Sequence, residues 1–91
     1  MKLSVIVCVY NEINTIEEIL KKIDNVDLPS DFEKEIIIID NNSTDGTREF
    51  LNKLKIANKY KVIFQKKNYG KGNSIITGIN EATGNLTVFQ D

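Results

Sequence analysis

Ile36-Ile37-Ile38-Ile39-Asp40-Asn41-Asn42-Ser43-Thr44-Asp45-Gly46-Thr47 is the stretch that decides the fold of this chain. Four β-branched apolar residues run unbroken into a carboxylate, amides and hydroxyls. Strand side chains alternate between faces, so an uninterrupted apolar run suits a strand buried on both sides, as in a parallel sheet. The polar residues then fall where that strand ends and a helix begins. In open α/β sheets, ligands bind in the crevice outside the carboxyl ends of the strands. One segment thus predicts a fold class and places a candidate site.

Working outward, strand and helix patterns alternate. Residues 3–9 read as a first strand, 35–40 as the second, 61–65 as a short third and 86–90 as a fourth. Between the first two, Asn14 is expected to open a helix with Glu17 as its capping-box partner. Ile16, Ile19, Leu20 and Ile23 recur there at helical spacing. Leu28-Pro29-Ser30 interrupts the pattern as a surface turn. Ser43 is the expected N-cap of a second helix, and Asp45 is expected in its first turn, beside the positive helix end. Phe50, Leu51 and Leu54 supply that helix's apolar face. After a loop at 68–72, a third helix is expected to turn Ile75, Ile76, Ile79 and Ala82 inward and to end at Gly84. The resulting β-α-β-α-β-α-β order predicts an α/β, Rossmann-like half-domain: a parallel sheet of order 3-2-1-4 with flanking helices. That order puts a switch point between strands one and four.

Composition narrows the class. The 91 residues suit one small domain, with 12 basic against 13 acidic residues and a net charge of −1. A nucleic-acid binder carries a strong basic excess, so no nucleic-acid partner is expected. Lys66, Lys67 and Lys71 form a local basic patch of the kind found on solvated faces. The single cysteine, Cys8, excludes a disulfide within the chain, and the lack of histidine argues against a thiolate–imidazole zinc site. Cys8, between Val7 and Val9, reads as a small core or site-wall residue, compatible with a reducing compartment. The apolar residues 3–9 stop at Tyr10-Asn11-Glu12 without a signal-peptide cleavage site. No stretch approaches the roughly 20 apolar residues that cross a bilayer.

The carboxyl ends of strands one, two and four carry Tyr10-Asn11-Glu12, Asp40-Asn41-Asn42 and Asp91. An aromatic ring packs on a base or ribose, amides and carboxylates hydrogen-bond them, and a carboxylate holds a divalent cation against phosphates. A nucleotide therefore suits the cluster, although polar residues also end many strands that bind nothing. Gly70-Lys71-Gly72 admits two readings: backbone N–H groups and a lysine charge around an anion, or a plain strand-to-helix turn. The G-x-G-x-x-G turn of dinucleotide-binding folds is absent after strand one. Gly70-Lys71-Gly72-Asn73-Ser74 does not fit a phosphate-binding P-loop. A receiver-type domain needs an acidic cluster after strand one, where Glu12 stands alone.

At this point the chain resembles the N-terminal half of a family 2, GT-A type glycosyltransferase. The resemblance is carried by Ser4-Val5-Ile6-Val7-Cys8-Val9-Tyr10-Asn11-Glu12 and by Ile39-Asp40-Asn41-Asn42-Ser43-Thr44-Asp45-Gly46-Thr47. It continues through Asn68-Tyr69-Gly70-Lys71-Gly72, Ala82-Thr83-Gly84-Asn85 and Phe89-Gln90-Asp91. These motifs keep the family's order and spacing over nearly the whole chain. They are most similar to those of the polyprenyl-phosphate group, which includes the dolichol-phosphate mannosyltransferases.

The resemblance implies an enzyme that transfers a sugar from a nucleotide-diphosphate sugar to an acceptor such as polyprenyl phosphate or a glycan, as in cell-envelope glycan synthesis. It implies that Tyr10 and Glu12 line the base and ribose pocket, that Ile39 and Asn41 lie beside the base, and that Asp40 ends its strand in the same pocket. Cys8 stands at the pocket wall where the family often has proline, and Lys71 supplies charge. Asp91 is implied to be the first carboxylate of an Asp-x-Asp motif that holds Mg²⁺ or Mn²⁺. Asn41 stands where the family has an aspartate, so the charge is lost and hydrogen-bonding capacity kept. Residues 1–91 are expected to be the nucleotide-sugar-binding part of a longer, cytoplasmic protein, inactive alone. Peripheral membrane contact and pairing through an exposed sheet edge are the further expectations. The rival reading is a non-catalytic binding or interaction module.

Overall fold

All of the strand pairing is parallel in the computed structural model, which describes residues 1–58 and 60–90. The elements are β1 (Lys2–Val9), α1 (Ile16–Asp24), β2 (Glu33–Asp40), α2 (Thr47–Ile56), β3 (Lys61–Phe64), α3 (Lys71–Glu81) and β4 (Leu86–Gln90). The strands form one sheet in the order β3-β2-β1-β4, as the strand–helix alternation predicts. In register, Ile6 lies between Ile37 and Phe89, and Val9 pairs with Asp40, which pairs in turn with Phe64. Observed strand limits differ from the sequence reading by a residue or two. β2 begins at Glu33, and β3 stops at Phe64.

The isoleucine run divides between two cores, because consecutive residues of β2 face opposite ways. Ile38 joins Val5, Val7, Val9, Ile16, Leu20, Ile23, Leu51, Tyr60 and Val62 on the side of α1 and α2, with Ile36 packed against them. Ile37 and Ile39 join Ile6 on the other side, where Cys8, Ile63 and Ala82 pack. The three buried isoleucines 37–39 are fully removed from solvent. Burying side chains of this size stabilises by about 1.5–3 kcal/mol each.

The third helix corrects its expected facing. Ile76 and Ile79 are 59% and 49% exposed, while Ser74 and Gly78 are the buried positions of α3. The cause is closeness. A Cβ on Gly78 would lie 2.5 Å from Ile6 Cγ2, so this turn of helix rests directly on β1. Small residues four apart let the backbone approach, and the larger isoleucines are displaced to the flank.

The helix caps also differ from expectation. Asn14 does not cap α1; Thr15 takes that position, and its hydroxyl donates to Glu12 Oε2 at 2.9 Å instead. Ser43 does not cap α2. Gly46 does, at φ 103°, a left-handed conformation that glycine adopts without steric cost. Asp45 lies before the helix and accepts from the Thr47 N–H at 3.1 Å. Gly84 does not close α3, which ends at Ala82 in an extended conformation.

Ala82-Thr83-Gly84-Asn85 closes the amino edge of the sheet instead. Ser4 Oγ donates to Glu35 Oε2 at 2.7 Å, the Thr83 N–H donates to the same oxygen at 3.0 Å, and the Gly84 N–H donates to Ser4 Oγ at 2.9 Å. The Lys2 N–H donates to Asn85 Oδ1 at 2.9 Å. Burial pushes the Glu35 carboxyl up, but these bonds and the charge of Lys2 outweigh it and hold Glu35 below its ordinary value. The network fixes the return from α3 into β4 at the end of the sheet opposite the candidate site.

Candidate functional site

At the carboxyl edge, the chain must leave β1 and β2 without exposing their last apolar residues. Two polar loops do this by bonding to each other. Asn11 and Asn42 take left-handed conformations, at φ 51° and 67°, which asparagine tolerates. The Asn11 N–H donates to Ser43 Oγ at 2.9 Å, and Asn11 Oδ1 accepts from the Thr44 N–H at 2.7 Å. The Glu12 N–H donates to Thr47 Oγ1 at 3.1 Å, and the Ile13 N–H to Asp45 Oδ2 at 3.2 Å. Bonds from Thr47, the hydroxyl foremost, hold the Asp45 carboxyl below its ordinary value. Ser43, Thr44, Asp45 and Thr47 thus position the loop that carries Tyr10 and Glu12.

Asp40 and Asn41 diverge because strand residues alternate. Asp40 is fully buried on the α2 side. It accepts from Ser43 Oγ at 2.6 Å and from the Ser43 N–H at 3.1 Å. Arg48 Nη1 donates to Asp40 Oδ2 at 3.2 Å, to Asn42 Oδ1 at 3.1 Å and to the Gln65 carbonyl at 2.9 Å. The Arg48 guanidinium also lies 4.9 Å from the centre of the Phe64 ring. One cation therefore gathers the ends of β2 and β3.

Asn41 faces the α3 side. Its Nδ2 donates to Asn68 Oδ1 at 2.6 Å, and its Oδ1 accepts from the Tyr69 N–H at 3.1 Å. Asn68 Oδ1 also accepts from the Gly70 N–H at 3.0 Å. Gln65 completes the join between β3 and α3: its Nε2 donates to Asn73 Oδ1 at 2.9 Å, and its Oε1 accepts from Ser74 Oγ at 3.2 Å.

Between these loops lies a cleft of about 220 Å³, lined by Cys8, Val9, Tyr10, Glu12, Asn41, Lys71 and Ser74. Five expected residues meet there: Cys8, Tyr10, Glu12, Asn41 and Lys71. The other two do not line it. Ile39 is fully buried in the α3-side core, and Asp40 is committed to Ser43 and Arg48. Tyr10 is 45% exposed, leaving ring surface available to a ligand. The volume is below the roughly 300 Å³ at which small-molecule pockets usually begin, so the described cleft is too small to enclose a whole nucleotide sugar.

Sequence reasoning missed Arg48, Asn68, Gln65 and Ser74. Arg48 sits four residues after Thr44, on the first turn of a helix, where a cation opposes the helix dipole. That unfavourable placement was the available signal that a buried anion holds it. Ser74 follows Gly70 by four, which puts it over the same cleft. Asn68 carried no signal outside the motif itself.

No group of three or more cysteine, aspartate or glutamate side chains that could hold a metal exists among the described residues. Glu12 is the carboxylate lining the described part of the cleft. These residues do not make a Mg²⁺ or Mn²⁺ cage by themselves, and Asp91, the expected ligand, lies outside the described residues. No described helix is long and apolar enough to cross a membrane.

Residues 4–91 match the family described as Glycosyl transferase family 2. The cholesterol galactosyltransferase of Borreliella burgdorferi is 39% identical over 92 aligned positions, which cover 99% of this chain and 24% of that protein. The dolichol-phosphate mannosyltransferase of Pyrococcus furiosus is 36% identical over 91 residues, covering 100% of this chain and 25% of that protein. The solved mannosyltransferase PcManGT of Pyrobaculum calidifontis, in complex with GDP-Man and Mn²⁺, superposes with a TM-score of 0.81 at 31% identity. That superposition covers 93% of this chain and 25% of the other. The chain spans about a quarter of the length of these relatives.

Proposed function

The chain belongs to glycosyl transferase family 2, and on that premise we propose that its cleft binds the nucleotide of a nucleotide-diphosphate sugar for transfer to a lipid acceptor such as polyprenyl phosphate, or to a glycan. Residues 1–91 are the donor-binding part of that enzyme. The observation that carries this reading is convergence. Tyr10 and Glu12 from one loop, Asn41 from a second and Lys71 from the start of α3 meet in one cleft at the carboxyl edge of a parallel sheet. That edge, where the strand order reverses, is where such folds bind ligands.

Each group has a physical task. The half-exposed Tyr10 ring stacks on the base. Glu12 accepts hydrogen bonds from ribose hydroxyls. Lys71, in the first turn of α3, brings positive charge and the positive helix end toward the diphosphate. In the transfer, an acceptor oxygen attacks the anomeric carbon, and the bond from that carbon to the diphosphate breaks. Negative charge builds on the diphosphate, which a cation stabilises.

A divalent cation, Mg²⁺ or Mn²⁺ with Asp91 as a ligand, belongs to the same proposal. Its support is the Mn²⁺ and GDP-Man of the Pyrobaculum enzyme and the position of Asp91 in the family's motif. A cytoplasmic location, at a membrane face where the acceptor is a lipid, is proposed with it; the lone thiol of Cys8 fits a reducing compartment.

A second reading, an interaction module, is favoured by β4, whose Leu86, Val88 and Phe89 are 44–50% exposed. Calorimetric titration with GDP and with UDP, each with and without Mn²⁺, separates the two. Saturable binding strengthened by Mn²⁺ supports the donor site. No heat at millimolar nucleotide sinks it.

A further inference from the structure

Asn41 stands where the family resemblance leads one to expect an aspartate, and the hydrogen bonds around it explain the exchange. Backbone N–H groups only donate, so they fix the orientation of both carboxamides. The Tyr69 N–H requires an oxygen at Asn41 Oδ1, 3.1 Å away, and the Gly70 N–H requires an oxygen at Asn68 Oδ1, 3.0 Å away. The NH₂ of Asn41 is then the group that must face Asn68 Oδ1, and it donates there at 2.6 Å. A carboxylate at position 41 could keep the Tyr69 bond only by setting its second oxygen against Asn68 Oδ1, and that repulsion pushes residues 68–70 away and breaks the bond. Turning the Asn68 amide over would relieve that clash only by setting its NH₂ against the Gly70 N–H. Position 41 therefore needs one donor and one acceptor on a short side chain, which an amide provides and an ionised carboxylate cannot. Position 68 has no such need, because its oxygen accepts from both partners.

We infer that Asn41 is a positioning residue: its carboxamide clasps residues 68–70 to the end of β2 and so sets Lys71 and the first turn of α3 at the diphosphate end of the cleft. Asn41 is 6% exposed and lines the cleft beside Lys71, and Gly70, the residue before Lys71, is the N-cap of α3. Loosening the clasp frees the segment that carries the charge. The inference rests on the nucleotide-diphosphate reading for its ligand and on the hydrogen bonds alone for the clasp.

The test uses amide hydrogen exchange without ligand and GDP titration in Mn²⁺. Asn41→Ala and Asn41→Asp are expected to speed exchange at Tyr69 while leaving the β1 and β2 amides protected. Asn68→Asp is expected to keep Tyr69 and Gly70 protected. Both substitutions at 41 are expected to weaken GDP binding about tenfold, the order set by losing the two hydrogen bonds of the Asn41 carboxamide. The neutral Asn41→Ala separates this from simple charge repulsion. Lys71→Ala is expected to weaken GDP binding in the wild-type background and to add nothing once Asn41→Ala is present. Additive effects of the two substitutions overturn the inference, as does wild-type exchange at Tyr69 in Asn41→Asp. Absence of GDP and UDP binding by the wild-type protein sinks the functional reading and the role of Lys71 with it. That failure is distinguishable from failure of the clasp, because the exchange rates are read without nucleotide.

Discussion

The fully buried carboxylate of Asp40 lies 3.2 Å from the guanidinium of Arg48, a side chain that is itself 30% exposed. Removing one partner of a buried ion pair leaves an uncompensated charge, at a cost of about 3–5 kcal/mol. Arg48→Met should fall near the lower end, because Ser43 still donates two bonds to Asp40. Asp40→Asn should cost less: the amide oxygen still accepts from the Ser43 N–H, and the charge left behind is on Arg48, which is partly exposed and still donates to Asn42 Oδ1 and the Gln65 carbonyl. Urea unfolding of the two variants checks this order. A larger loss for Asp40→Asn than for Arg48→Met would overturn it.

Glu35 gives the amino edge of the sheet a pH dependence. Its folded value lies below the ordinary 4.5, because the bonds from Ser4 and Thr83 and the charge of Lys2 outweigh the upward push of burial. A carboxyl depressed on folding stabilises fully above its unfolded value, and loses that contribution as pH falls through the folded value. The stabilisation should thus be intact at neutral pH and decline below about 4.5. Glu35→Gln should flatten that part of the stability curve without removing the decline due to Asp45, which is also depressed. Thermal unfolding from pH 7 to pH 3 would show it; identical slopes for variant and wild type count against the assignment.

How much of this was legible in the sequence depends on range. The isoleucine run specified a two-faced strand because β alternation is local, and strand order followed from connection rules. The same alternation, applied one step further, sends Asp40 and Asn41 to opposite sides, yet as strand-end polar residues they read as one cluster. Their separation became visible only with Arg48 on one side and Asn68 on the other, partners 8 and 27 residues away. In α3, the apolar spacing turned Ile76 and Ile79 inward, and both are exposed, whereas Ile75 is partly buried and Ala82 does pack on the core. Steric closeness at Gly78 outweighed hydrophobicity, and a glycine carries no hydrophobic signal.

Gly78 makes that competition measurable. Gly78→Ala gains helix propensity of about 1 kcal/mol. Its new methyl would lie 2.5 Å from Ile6 Cγ2, an atom near the backbone of a fully buried strand residue that has no room to yield. Overpacking of this kind costs about 1–3 kcal/mol. The net effect should be destabilising, and smaller when Ile6→Val removes the Cδ1 that would otherwise lie 3.1 Å away. A double-mutant cycle by chemical denaturation reads the coupling. A stabilised Gly78→Ala would mean that α3 moves off the sheet at little cost.

Cys8 reports on occupancy of the cleft without perturbing it. The thiol is partly exposed and lines the same wall as Tyr10 and Lys71. It is also the chain's single cysteine, so alkylation is site-specific. Thiol reactivity follows access as well as ionisation, so a base seated on Tyr10 should shield it. Iodoacetamide labelling should slow several-fold in saturating GDP with Mn²⁺. Tyr10→Ala should need about tenfold more nucleotide for the same protection, given the ~1–3 kcal/mol that stacking one base on an aromatic ring supplies. Tyr10→Phe keeps the ring and should protect like wild type. If GDP binds by calorimetry and labelling still runs at its free rate, the nucleotide sits elsewhere and this cleft is not the donor site.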